Sequence, residues 1–325
     1  MIEDTGVERI AASSILIVHG RGFKPAAEPL LELTDAALRA GIERDYPDSV
    51  AAYDILSRSL AYYGDLNNAL LESKGKHYDV ALDLGDRRRA LDSLRSVPAR
   101  KRFGIRQYDC LPGKSAVPEF IADVCAPTLG TLGLTLPLLS LVAKDFRDYL
   151  AGKRQYAEQA RDRVRSKLCE LLDRGDRLLL ISHGTGCAVV YDVLWQLSHD
   201  PQYRERYQER KVDGWLTLGA PLGDRYIRKR LLGARSGKHT KYPTNVITWY
   251  NAAAEDDYAC HDGTLANDFK PMLQQHLVSA IHDFRIYNLA VRFGKSNPHS
   301  SVGYYIHPRV SKIIVDWINA IQLAT

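Results

Sequence analysis

The sequence predicts an α/β chain built on a doubly wound, mostly parallel sheet. Short apolar runs at Ser14–Val18 and Arg177–Ile181 lack the polar alternation of a half-exposed strand, as expected for strands buried on both faces. Helical patterns separate the strand-like runs, and glycine-bearing turns follow them at Gly20–Gly22, Gly184–Gly186 and Gly219–Gly223.

Taken in order, Ser14–Val18 is the first strand and ends at His19-Gly20-Arg21-Gly22. Pro25 to Arg44 reads as a helix, with Leu30, Leu33, Ala37 and Leu38 on one face and a proline in its first turn. Val50 to Leu56 reads as the next strand, before Tyr62-Tyr63-Gly64-Asp65. Asn67 to Leu150 interrupts the alternation and is expected to be an inserted, mainly helical cap. Tyr156 to Leu172 is amphipathic, with Glu158, Arg161, Asp162, Arg165 and Glu170 on its polar face, and closes at Gly175. Strands are then expected at Arg177–Ile181, Trp215–Leu218, Val246–Tyr250 and Asp283–Arg292, with Pro308–Ile321 as the closing helix.

A hydrophobic content of 45% with 26% charged residues places the 325-residue chain among ordinary soluble globular proteins. That length allows a single large α/β domain with an insertion. The net charge of +5 is too modest to argue for nucleic acid, and no nucleic-acid-binding signature accompanies the basic clusters Arg87–Arg89 and Arg100–Arg102. Those clusters read as solvated surface. Five cysteines, with no C-x-x-C, read as reduced thiols and fit a cytoplasmic protein without a disulfide framework. The acidic start Met1-Ile2-Glu3-Asp4 gives no secretory signal. Val124 to Ala143 carries no charge, but Pro127, Gly130, Gly133 and Pro137 break it. It is expected as a broken apolar hairpin within the cap, with contact to a membrane surface left open. Oligomeric state is not legible.

The stretch that bears on chemistry is Ser182-His183-Gly184-Thr185-Gly186, between an apolar strand and a helix-compatible segment. Its small-X-X-X-small spacing is that of a nucleophile elbow, with Gly184 where Ser, Cys or Asp would stand. Glycine suits the positive φ of that position but supplies no attacking atom.

Here the chain resembles the α/β-hydrolases of the lipase and esterase kind, over most of its length outside the cap. The resemblance implies hydrolysis of a carboxylic ester or acyl substrate and no cofactor or metal. It places the oxyanion hole at the backbone N–H groups of Arg21 and Thr185. Trp215–Gly223 resembles the strand and turn after the elbow. Trp249-Tyr250-Asn251 with Glu255-Asp256-Asp257 resembles the acid loop, in which Asp256 and Asp257 compete. Asp257 is preferred because the small Ala259 follows two residues later. Asn297-Pro298-His299-Ser300 matches the family's histidine position, with His307 as a rival. His261 and Asp262 read as loop residues without zinc-ligand spacing, and His19 as structural.

Four accounts of Gly184 fit the sequence. The chain is a pseudoenzyme that binds a hydrophobic or anionic ligand in the retained pocket; a neighbour (Ser182, Thr185 or Cys187) attacks instead; His299 activates water directly; or a glycine has replaced an original nucleophile.

Overall fold

The computed structural model describes residues 12–98, 100–113, 149–150, 154–260 and 263–322. Six parallel strands form the main sheet: β1 (Ser13–Val18), β2 (Ser57–Ala61), β3 (Arg177–His183), β4 (Val212–Leu218), β5 (Val246–Ala254) and β6 (Ala280–Ile286). They lie in the order β2-β1-β3-β4-β5-β6. The chain steps from β1 outward to β2 and then returns to the other side of β1 as β3. The connections therefore diverge between β1 and β3, and in open α/β sheets the crevice at such a switch point is the usual ligand site.

Alternation along each strand fills two cores. Leu16, Val18, Leu178, Leu180, Trp215 and Trp249 pack on one face with the helices Arg154–Arg174 and Gly186–His199. Ile15, Ile17, Leu179, Ile181, Leu216 and Leu218 pack on the other with Ala27–Asp45, Val80–Arg95 and Pro308–Gln322. Helices thus cover both faces, which is why β1 and β3 carry unbroken apolar runs. In the first core the Trp215 and Trp249 rings stack, with centroids 4.5 Å apart.

Two expected strands are corrected. Val50–Asp54 is a short helix, and the strand begins only at Ser57. Pro47 opens this stretch, Ala51 and Ala52 favour helix, and Tyr53 is its buried side chain. The real β2 is an edge strand, Ser57-Arg58-Ser59-Leu60-Ala61, only partly buried and lacking an apolar run. The last strand is not Asp283–Arg292 but Ala280–Ile286. Beyond it the Asn288 side chain accepts from Ala290 N at 3.1 Å and turns the chain, so Val291–Arg292 pairs antiparallel with Lys295–Ser296 in a separate two-stranded ribbon.

Within the expected cap, Gly64–Glu72, Val80–Arg95 and Ile105–Asp109 are helical. Leu91, Leu94, Phe103 and Tyr108 join the second core, so this part is built onto the sheet domain. Arg87 pairs with Asp83 at 2.9 Å, and Arg292 pairs with both Asp83 and Asp86. The apolar stretch 124–143 lies outside the described residues. Among those residues no helix is long and apolar enough to cross a membrane.

Candidate functional site

Gly184 follows β3 directly, with φ +56°. Its N–H donates to Leu218 O at 2.8 Å, and its carbonyl accepts from Cys187 N at 3.1 Å, which starts the following helix. The strand therefore becomes a helix within one tight bend. Gly20 and Gly186 permit the bend to pack against the turn after β1. A Cβ on Gly186 would lie 2.4 Å from His19 O, and one on Gly20 2.8 Å from His183 O. Backbone contact this close has no room for a side chain. The same Gly20 position lies 3.5 Å from Thr185 N, so the Arg21 and Thr185 segments are neighbours at the β1/β3 switch point.

His299 is brought to Gly184 from the other end of the chain. A Cβ built on Gly184 would stand 2.9 Å from His299 Nε2 and 3.2 Å from its Cε1. On the opposite edge of the ring, Nδ1 lies 2.9 and 3.0 Å from the two Asp257 carboxylate oxygens. Asp257 is buried at the end of the β5 loop. Burial pushes its carboxyl up, but His299, the Tyr304 hydroxyl and the Ala259 N–H together outweigh this and leave it below the ordinary value of 3.8. Tyr304 donates to Asp257 Oδ2 at 2.6 Å and Ala259 N donates to Oδ1 at 3.0 Å. An ionised Asp257 can only accept, so Nδ1 of His299 carries the proton and the lone pair of Nε2 faces Gly184.

The remaining expected residues fall as follows. Asp256 is not at the histidine: its backbone has φ +58° and its carboxylate accepts from Tyr108 at 2.8 Å. Ser182 is buried, accepting from the Trp215 indole at 2.9 Å and donating to Cys187 Sγ at 3.2 Å. Burial pushes the Cys187 thiol up to about 12. Both groups therefore face the core, where neither can attack a substrate. His307 lies away from this site, edge-on to Phe103. His261 and Asp262 lie outside the described residues. Among the described residues no group of His, Cys, Asp and Glu is placed to hold a metal ion.

His19 sits beneath the site. Its Nδ1–H donates to Gly20 O at 2.8 Å and its Nε2 accepts from Tyr63 N at 3.1 Å. Burial, reinforced by Lys24, lowers its pKa to about 3 and keeps it neutral. The buried Lys24 ammonium gathers the turn by donating to the carbonyls of Arg21, Gly22 and Phe23.

Three residues position this site, and of these the sequence marks only His183, as part of the bend. His183, held neutral by burial, donates from Nε2 to His299 O at 3.1 Å. Asn288 donates to Pro298 O and Ser300 O at 2.8 and 2.9 Å, clamping the loop on both sides of His299. Tyr304 holds Asp257 and accepts from Ala254 N at 2.9 Å. Nothing in the sequence marks Asn288 or Tyr304, because both act on partners remote in the chain.

No protein-family model matches this chain, and no curated protein or solved structure shows significant similarity to it.

Proposed function

We propose that the chain is an α/β-hydrolase-type protein of esterase or lipase lineage, in which His299 and Asp257 act on water rather than on a side-chain nucleophile. One observation carries the reading: an imidazole held by a buried carboxylate turns its free nitrogen toward the strand-to-helix bend at Gly184. Its location at the switch point of the sheet supports it.

In this scheme a water bound at His299 Nε2 gives up its proton as its oxygen attacks the carbonyl carbon of a carboxylic ester. The backbone N–H groups of Arg21 and Thr185 receive the developing oxyanion. The tetrahedral intermediate then expels the alcohol, which takes the proton back from the imidazolium. No acyl-enzyme forms, so no covalent intermediate divides the reaction into two easier displacements, and turnover is slow.

Hydrolysis of short-chain p-nitrophenyl esters tests this reading. His299→Ala should lower turnover about 10²–10⁴-fold, the usual worth of a positioned general base. Gly184→Ser should raise it, once the imidazole shifts a few tenths of an ångström to admit the new Cβ. Turnover in the parent chain that is indifferent to His299→Ala rejects the proposal.

A second reading is favoured by Gly184 itself, which offers no attacking atom at the position that faces His299 Nε2. In that case the pocket binds an acyl or anionic ligand without turnover. Butyrate should then raise the Tm of the parent chain and not of His299→Ala.

A further inference from the structure

A second concave site lies away from His299, between the end of the first helix, the Arg100–Gly104 turn, the end of β6 and the first turn of the C-terminal helix. Its volume is about 400 Å³, within the range of small-molecule sites. Arg100, Lys101 and Arg309 are exposed around it and make no ion pair with a described residue. Two further cations on its wall are neutralised: Arg285 by Glu255 at 3.6 Å and Lys312 by Asp316 at 2.8 Å.

His307 lines the same cavity and is 94% buried. Its Nδ1 accepts the backbone N–H of Arg309 at 3.1 Å. In the neutral ring the proton must then sit on Nε2. Burial, together with Arg44 and Arg309, lowers the His307 pKa to about 3 and keeps the ring neutral. That Nε2–H has no partner. A buried donor left unpaired is costly and calls for an acceptor. Every strong group here either donates or is positive. Aromatic side chains of Tyr46, Phe103 and Tyr287 complete the wall.

We propose that this cavity binds a phosphate group carried by a small ring-bearing molecule. Three cations without an anionic partner, one of them (Arg309) lying 4.5 Å from the centroid of the Phe284 ring, suit a dianion better than a monocarboxylate. The volume exceeds that of a bare oxyanion, and aromatic walls suit a flat ring beside it. The Nε2–H of His307 is enclosed beside the cavity, and a small turn of the ring presents this neutral donor to one phosphate oxygen. The site is separate from the His299 centre, and its occupation does not depend on any hydrolytic activity.

Phenyl phosphate is the probe, titrated calorimetrically at constant ionic strength, with phenol and inorganic phosphate compared under the same conditions. Saturable binding of phenyl phosphate, weaker binding of inorganic phosphate and none of phenol are expected. Arg309→Gln and Lys101→Gln should each weaken it about tenfold, and His307→Phe should abolish it. Lys229→Gln, at another basic stretch, and His299→Ala should leave it unchanged. Absence of saturable binding to the parent chain overturns the proposal, as does binding that Arg309→Gln leaves intact. Arg309 and Lys101 are exposed, so those variants decide the matter even if His307→Phe does not fold.

Discussion

Two glycines flank the same imidazole, and their surroundings differ in kind. Gly184 and Gly219 each follow a parallel strand and each have φ +56°. A side chain at Gly184 would meet only the outer edge of the His299 ring, Nε2 at 2.9 Å and Cε1 at 3.2 Å, on a side chain that is 27% exposed. A side chain at Gly219 would meet Asp257 Oδ2 at 2.8 Å, the Tyr304 hydroxyl at 3.0 Å and His299 Nδ1 at 3.2 Å. The first two are buried and bonded to each other, and the Tyr304 hydroxyl also to the Ala254 N–H, so neither has room to retreat. Glycine at 219 is therefore required by the packing of the acid–histidine pair. Glycine at 184 is merely compatible with the bend, so chemistry rather than packing sets the importance of that position.

The contrast is sharpest in Gly219→Ala, which combines left-handed strain with overpacking against a fixed network. It should cost about 4 kcal/mol in denaturant unfolding. A cost near that of Gly184→Ala would break the comparison.

Asp257→Asn should cost about 3 kcal/mol near neutral pH, because it removes the charge from a buried, fully bonded acceptor. The Asp257 carboxyl lies below its ordinary 3.8 in the fold, so its stabilisation is complete above that value and fades as pH falls through the folded value. The stability gap between parent and variant should therefore narrow below about pH 4. A gap that widened there would mean that the carboxyl is protonated more readily in the fold.

Tyr304→Phe deletes one bond to a charged group and strands the Ala254 N–H, for about 2 kcal/mol. Gly184→Ala should be the mildest, at about 1 kcal/mol for a single non-glycine residue in left-handed backbone. A loss as large as that of Tyr304→Phe would show His299 to be held as firmly as the buried Asp257 and Tyr304.

What the sequence made legible follows the same division between local and remote causes. The strands β1 and β3 are buried on both faces and announce themselves as apolar runs. The edge strand β2 and the partly buried β6 have no such signature, so their bounds came out wrong. The bend at Gly184 is local, and its glycines could be read from spacing alone. The sequence prefers Asp257 to Asp256 only through Ala259; the positive φ at Asp256, whose carboxylate bonds Tyr108, is not marked by any neighbouring residue. Likewise, Asn288 and Tyr304 matter through carbonyls and carboxylates that only the folded chain brings within reach.

The stacked indoles of Trp215 and Trp249 also have an optical consequence. Chromophores stacked 4.5 Å apart with their planes 20° from parallel couple their electronic transitions and should give a paired circular-dichroism band. The Trp215 indole also donates to Ser182, two residues before the bend. That band is thus a built-in spectroscopic gauge of the ground on which the imidazole and the bend meet.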